Sequence, residues 1–465
     1  MNGLNLTLKE TVKALGLEPR SEWEDIVFSG VSTDTRILEA GQLFVALKGP
    51  RFDGHEFIDI AFKKGASAIL AERESFSPGR ICLTVDDSLR ALGDLAAYVR
   101  RRRPLKVVAV TGTNGKTTTR EMIVSILGRR FRVLASRANY NNLVGLPLTL
   151  LNLEPSHQLA VLEMGMNSPG EIGRLTEIAD PDVALITNIG PAHLEGVGSL
   201  EGVAGAKGEL FQGIKPEATA IINADDPLVA QLAARLEVRG LSFGFSRKSD
   251  VRAQGLRYRG LKGLSFKLKT SSGNVKIELP LFGRHNASNA LAAAATAVAM
   301  KMAPVYIKEA LDEIEPFPGR LELKMLPGPV YLLDDTYNAN PVSVKASLEV
   351  LMKTRGRGRA VAVLGDMLEL GRETQFEHAR IGRTAAQFGV DFLVGVGPLA
   401  KTMLQSSIRY GLAKKQTAWF EAPGQAAEWL EDQLQVRDRI LIKGSRGMRM
   451  ERIVQHLRER NQDQR

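Results

Sequence analysis

Cysteine is almost absent: Cys82 stands alone in 465 residues. One thiol makes no internal disulfide and no cysteine-based metal site, and a reduced, cytoplasmic setting is the expectation. Long apolar runs are missing too. The longest, 290–302, is alanine-rich and too short to cross a bilayer, so it reads as a buried helix. Residues 1–10 lack a basic stretch followed by an apolar one, so neither a signal peptide nor a membrane anchor is expected. No repeat or low-complexity tract is visible. Hydrophobic residues at 44% and charged residues at 25% are ordinary globular values, which excludes a wholly disordered, collagen-like or coiled-coil chain.

What is present begins with charge. Lys and Arg number 62 against 52 Asp and Glu, a net charge of +10. Residues 1–104 balance at 15 basic and 15 acidic, 105–315 hold 24 and 20, and 316–465 hold 23 and 17. The excess is therefore spread over two long regions, with no basic tail. The densest run, the four arginines 100–103 before Pro104, reads as a solvated helix end or linker. A phosphate-rich small substrate accounts for a moderate excess, and no nucleic-acid partner is expected. Gly at 44 residues is in excess, as in α/β proteins with many tight turns.

Three regions emerge. Residues 1–104 carry short strand-like runs at 42–47, 68–70 and 81–85 and a helix at 88–103. Residues 105–315 open with an apolar strand at 106–110, a Gly-rich turn and a helix at 117–128. Buried strands follow at 159–162, 183–187 and 218–223, an appended antiparallel hairpin within 251–282, and a closing helix at 287–303. Residues 316–465 begin after Pro316-Phe317-Pro318-Gly319 and alternate strands (331–333, 360–364, 392–396, 440–442) with helices. Strands alternating with helices predict parallel sheets covered on both faces.

Chemistry concentrates where strands end. Val110-Thr111-Gly112-Thr113-Asn114-Gly115-Lys116-Thr117-Thr118 is a strand running into a Gly-rich turn and a helix start. Backbone N–H groups in such a loop face phosphate oxygens. Lys116 would reach the β and γ phosphates and the Thr117 hydroxyl would reach Mg²⁺. Val110 stands where the strict pattern has Gly, so the loop is a shortened variant. Glu163 ends a second strand, at the edge where open α/β sheets bind ligands; it reads as a Mg²⁺ ligand or as a solvated acid. His193, in Asn188-Ile189-Gly190-Pro191-Ala192-His193, reads as a metal ligand or a structural histidine. Lys207, in Ala206-Lys207-Gly208-Glu209, reads by itself as a surface lysine. Asn286, in Gly283-Arg284-His285-Asn286, reads by itself as a helix cap. Asp334-Asp335-Thr336-Tyr337-Asn338 and Lys443-Gly444-Ser445-Arg446 are polar loops after strands, left undecided by polarity alone.

Together these segments resemble the Mur ligase family, ATP-dependent amide-bond ligases of peptidoglycan precursor synthesis. Thr33-Asp34-Thr35-Arg36, Gly41-Gln42-Leu43-Phe44 and Asp53-Gly54-His55 resemble its UDP-sugar domain; Asn139-Tyr140-Asn141-Asn142 and Gly365-Asp366-Met367-Leu368-Glu369-Leu370-Gly371 add to the match. The resemblance implies an α/β fold of three domains. These are a small UDP-sugar-binding domain (1–104), a central ATP-binding domain with a doubly wound parallel sheet and P-loop (105–315), and a Rossmann-like C-terminal domain (316–465). It implies that Thr33, Thr35, Arg51, Phe52 and Asn142 contact the sugar-nucleotide substrate. ATP would lie on Gly112, Thr113, Asn114, Gly115, Lys116, Thr117, Thr118, Asn286, Arg320, Asp335, Tyr337 and Asn338. Two Mg²⁺ would be held by Thr117, Glu163, His193 and a carbamylated Lys207, with Lys116, His193 and Lys207 as catalytic residues. Within the family the pattern is nearest to members that add D-Ala-D-Ala to UDP-MurNAc-tripeptide in cell-wall biogenesis. A monomer is expected. The Asp-Asn-Pro-Arg signature of diaminopimelate-adding relatives is absent. Alternatives are a diaminopimelate- or lysine-adding ligase, a folylpolyglutamate synthase, or a non-catalytic nucleotide- or nucleic-acid-binding protein.

Overall fold

The structure, a computed structural model, describes residues 6–20, 23, 26–50, 52–73, 80–136, 139–192, 194–326 and 328–459. Arg51 and His193 lie outside the described residues.

The apolar strand Lys106–Thr111 lies inside a nine-stranded sheet. Its side chains from Val107 to Thr111 are all buried, as expected for a parallel strand covered on both faces. From one edge the sheet runs Val133–Ala135, Leu159–Glu163, Lys106–Thr111, Val183–Ile186, Thr219–Asn223, Arg239–Gly244 and Val251–Tyr258, all parallel. The chain leaves Lys106–Thr111 in one direction and later returns on its other side, so this strand sits at the topological switch point. Two antiparallel strands, Leu264–Thr270 and Gly273–Ile277, extend the far edge. The expected hairpin in 251–282 is thus a three-stranded unit whose first strand joins the parallel sheet. The strands Val133–Ala135 and Arg239–Gly244 escaped the sequence reading: the first is only three residues, and the second begins with exposed Arg239 and Gly240.

The alanine-rich run folds as the helix Arg284–Ala299, buried over most of its circumference against this sheet. Small side chains suit a helix enclosed on several sides.

The C-terminal sheet runs Glu322–Leu326, Val330–Asp335, Arg439–Lys443, Ala360–Gly365, Phe392–Val396 and Thr417–Phe420, parallel except for the first strand. The N-terminal region holds four short parallel strands, Val31–Ser32, Leu43–Val45, Ala68–Ala71 and Cys82–Thr84, beside a two-stranded antiparallel sheet. The fold is α/β in three domains. Among the described residues no helix is long and apolar enough to cross a membrane.

One expectation is corrected at the junction. The helix Ser88–Arg101 is capped by the Asp87 carboxylate, which accepts the Arg90 N–H. Its Leu92, Leu95, Ala96 and Val99 share one continuous core with Ile172, Leu175 and Ile178 of the central domain. Arg100 is not a solvated helix end: it is 5% exposed, and its guanidinium donates to the carbonyls of Ala179 and Asp180, each at 3.1 Å. Those carbonyls, at the end of the helix Glu171–Ala179, need donors, and the cation also faces the negative helix end.

A cleft between the central and C-terminal domains

The phosphate loop is held open by its own neighbours. Thr113 donates its N–H to the Asn188 carbonyl (2.9 Å), and its hydroxyl donates to the Gly190 carbonyl (3.1 Å). Asn114 donates its N–H to Asn188 Oδ1 (3.0 Å), and its own carbonyl accepts from Thr187 Oγ1 and Asn188 Nδ2. Two glycines are required. Gly112 (φ 143°) would carry a Cβ 1.9 Å from Thr187 Oγ1, and Gly115 (φ 82°) one 2.3 Å from Asn289 Oδ1. Lys116 then opens the helix Lys116–Leu127, and its Nζ donates to the Gly112 carbonyl at 2.9 Å. Burial pulls the Lys116 ammonium below its ordinary pKa; Glu163 opposes this and Arg320 adds to it.

Glu163 ends the adjacent strand and is 2% exposed. One oxygen accepts from Asn141 Nδ2 (2.9 Å) and the other from Arg120 (3.3 Å). Lys207, on the helix Leu200–Gln212, is 1% exposed, not a surface lysine. Burial, with Lys116 nearby, holds its amine far below the usual lysine range. Among the described residues no acidic side chain pairs with it.

The opposite wall comes from the C-terminal domain. Arg320 donates to Thr117 Oγ1 (3.0 Å) while its guanidinium lies 4.0 Å over the Tyr337 ring. Asn340 Nδ2 donates to Asn114 Oδ1 (2.7 Å). Asp335, 8% exposed, has both oxygens engaged: by Lys443 Nζ (2.7 Å) and Ser347 Oγ (2.6 Å) on one, and by the Leu321 N–H (3.2 Å) on the other. Lys443 also donates to the Asn338 carbonyl at 2.8 Å. Asp335 therefore braces this wall through Lys443.

Between these walls lies a cleft of about 1010 Å³. It gathers Thr113 to Thr118, Asn142, Glu163, Asn286, Arg320, Asp335, Tyr337 and Asn338. Asn142 holds its own turn, accepting the Gly145 N–H at 2.8 Å. Asn286 is not a cap: the helix starts earlier, at Arg284, and Asn286 lies inside it, donating to the Phe282 carbonyl (2.8 Å) and accepting from Asn289 (3.0 Å). Gly112 and Lys207 stand behind the lining. Thr33, Thr35 and Phe52 are not brought to the cleft. They follow the parallel strands Val31–Ser32 and Leu43–Val45 on the N-terminal sheet, where Phe52 is 62% exposed.

The sequence marked the Lys443–Arg446 loop without giving Lys443 a role, and it gave none to Asn289, Arg120 or Asn340. Asn289 was findable, since i, i+3 spacing puts it on the face of Asn286. Arg120 stands one turn beyond Lys116 and was equally legible. Asn340 and Lys443 come from distant segments, and only the tertiary fold joins them to the cleft.

The donor set around the phosphate loop is oxygen-rich: the Thr117 hydroxyl and the Glu163 carboxylate. Among the described residues no three His, Cys, Asp or Glu side chains gather into a metal cluster. A hydroxyl and a carboxylate are the oxygen donors that fit Mg²⁺, which takes one or two protein oxygens together with phosphates and water.

Comparison with known proteins agrees with this architecture. Three family models match in succession: "Mur ligase family, catalytic domain" at 27–100, "Mur ligase middle domain" at 110–297, and "Mur ligase, glutamate ligase domain" at 319–446. The chain belongs to the Mur ligase family. It is 39% identical over 460 residues, covering 98% of this chain and 99% of the relative, to the UDP-N-acetylmuramoyl-tripeptide–D-alanyl-D-alanine ligase of Escherichia coli. The crystal structure of MurF from Acinetobacter baumannii matches with a TM-score of 0.88 at 35% identity, over 97% of this chain and 98% of that one. MurF ligase from Thermotoga maritima, solved in complex with ADP, matches with a TM-score of 0.84 at 29% identity, over 94% and 98%.

Proposed function

We propose that this protein joins D-Ala-D-Ala to UDP-MurNAc-tripeptide, with ATP hydrolysed to ADP and phosphate. The observation that carries the reading is the cleft in which a phosphate loop meets Arg320, Tyr337 and Asn340 of the C-terminal domain. The relative solved in complex with ADP supports the use of an adenine nucleotide.

A carboxylate resists attack by an amine because its oxygen leaves poorly. Transfer of the ATP γ-phosphoryl group to it gives an acyl phosphate, which reacts readily. The dipeptide amine attacks the acyl carbon, and the tetrahedral intermediate expels phosphate. The protein's part is positioning and charge neutralisation. Gly112 to Thr118 cradle the phosphates, Lys116 and Arg320 balance their charge, and Tyr337, Asn338 and Asn286 border the nucleotide. Asp335, through Lys443, fixes the loop carrying Tyr337 and Asn338. Thr117, Glu163, Lys207 as its carbamate, and His193 would hold Mg²⁺, which when bound neutralises charge on the phosphoryl oxygens. A neutral amine adds to CO₂ with loss of a proton, giving an anionic carbamate. Burial and the nearby Lys116 lower the Lys207 pKa, which favours the neutral amine that such addition needs. The region 1–104, with Thr33, Thr35, Arg51 and Phe52, takes the UDP-sugar. A cytoplasmic monomer is the setting we propose, in keeping with one cysteine.

The test is phosphate release from ATP with each substrate omitted in turn. Release must require both UDP-MurNAc-tripeptide and D-Ala-D-Ala. Strong DNA binding with a steep salt dependence and no such release would contradict the reading. Running lysine and diaminopimelate tripeptides side by side identifies the third residue.

A further inference from the structure

The cleft is lined by five cations among the described residues: Lys116, Arg284, Arg320, Lys443 and Arg446. Four have occupations. Lys116 belongs to the phosphate loop, Arg320 bonds Thr117, Lys443 is buried against Asp335, and the Arg284 guanidinium lies 3.5 Å over the Phe245 ring. Arg446 differs. Its side chain is 66% exposed, its ion pair with Glu451 is long at 3.7 Å, and its guanidinium stands 5.9 Å from the Tyr337 ring centroid, against 3.5 Å for Arg284 over Phe245.

Its backbone, by contrast, is fixed. The Arg446 N–H donates to Asn338 Oδ1 (3.3 Å). The preceding Ser445 donates its N–H to the Asp366 carbonyl (3.1 Å), and its hydroxyl accepts the Leu368 N–H (2.9 Å). Residues 366–368 are thereby tied to the turn Arg446–Met448. Leu368 is 41% exposed, and its Cδ1 lies 3.0 Å from where a Cβ on Gly447 would sit. The wall thus presents a guanidinium on an anchored backbone beside an apolar side chain and a residue with none.

We propose that Arg446 receives the C-terminal carboxylate of the incoming dipeptide, with Leu368 and the bare Gly447 against its methyl groups. The proposal rests on the function proposed above. A small dipeptide entering a closing cleft brings one full negative charge besides its reacting amine. That charge needs a partner once water is displaced, and a planar guanidinium matches a carboxylate in charge and geometry.

The experiment compares D-Ala-D-Ala with D-alanyl-D-alaninamide, which keeps the amine and both methyl groups but lacks the charge. Wild type is expected to favour the acid in kcat/KM by a factor on the order of 10 to 100, the worth of a charge-assisted contact. Arg446→Gln loses that preference: kcat/KM for the acid falls through the dipeptide KM, amide turnover is little changed, and the KM for ATP stays put. Acid preference surviving in Arg446→Gln, or a rise in the KM for ATP instead, overturns the proposal. ADP binding measured by calorimetry checks the folded state. If Arg446→Gln fails to bind ADP, Arg446→Lys carries the same comparison. It keeps the charge but not the fork, and an undiminished preference overturns the proposal. A wild type that releases no phosphate with either dipeptide overturns the functional reading and this proposal together; acid preference in wild type that persists in the variants overturns this proposal alone.

Discussion

Arg320 of the C-terminal domain donates a hydrogen bond to Thr117 of the phosphate loop at 3.0 Å. The bond joins two residues 203 positions apart in sequence and places a cation where phosphoryl charge would develop. Arg320→Ala removes both the bridge and the charge. The expected loss in kcat is on the order of 100-fold or more, by analogy with removing one preorganised donor from a transition state. Phosphate-release kinetics check it; an unchanged kcat would show that Arg320 is only a surface contact.

Lys116→Ala should abolish phosphate release while leaving the fold intact, since among the described residues the Lys116 Nζ bonds the carbonyls of its own loop, Gly112 and Thr113. Substantial activity in that variant would sink the phosphate-loop role.

Lys207→Ala should lose activity and regain part of it with added short carboxylic acids, which return an anion to the space of the carbamate. In wild type, ¹³C-labelled bicarbonate should give a carbamate carbon resonance that the variant lacks. Normal activity in Lys207→Ala would remove the carbamate from the account.

The buried pair Asp335–Lys443 gives a stability prediction. Lys443→Met leaves the Asp335 charge buried with Ser347 and one backbone N–H, and should cost about 3–5 kcal/mol in urea unfolding. Lys443→Met combined with Asp335→Leu should recover much of that stability without recovering activity, because the brace on Asn338 is gone. Equal stability of Lys443→Met and wild type would show that the pair is not effectively buried.

Two histidines set an acid limit. His378 is fully buried. It donates from Nδ1 to the Thr374 carbonyl (2.7 Å) and accepts the Met367 N–H at Nε2 (3.0 Å), an arrangement only the neutral ring satisfies. Burial lowers its pKa, with the Thr374 carbonyl and Asp366 opposing. Burial also pushes His285 down to about 4, with Asp335 opposing and Lys443 adding. Both folded values lie below the ordinary 6.5. As pH falls through that value the unfolded chain takes up protons that the folded chain refuses, so stability declines with falling pH. For His285 the decline ends near pH 4. Asp366, raised by burial, acts in the opposite direction near the acid end of the window. Urea midpoints from pH 7 to pH 4.5 should fall in wild type and fall less in His378→Gln. A flat profile in wild type contradicts this.

Much of the fold was legible because its strands are fully buried runs. Val107 to Val110 and 360–364 announce themselves without any partner being known. Among the strands that escaped, Val133–Ala135, Arg239–Gly244 and Thr417–Phe420 are each short of full burial, so neither period nor burial marks them. The phosphate loop was legible because it is local. The Lys443–Arg446 loop was visible as a polar segment, but where Arg446 and Asn340 meet the cleft and how deep Lys207 lies were not, since each depends on which distant segment packs against it. The arginine run misled for the same reason: nothing near Arg100 in sequence reveals the helix end at Ala179 that it serves.

We propose that ATP activates the tripeptide carboxylate in this cleft. Oxygen transfer tests it most directly. UDP-MurNAc-tripeptide carrying ¹⁸O in the reacting carboxylate is incubated with ATP and D-Ala-D-Ala, and the released phosphate is examined by mass spectrometry. An acyl phosphate hands one carboxylate oxygen to the phosphate, so the account predicts phosphate bearing one ¹⁸O for each pentapeptide formed. Unlabelled phosphate alongside new amide would contradict it.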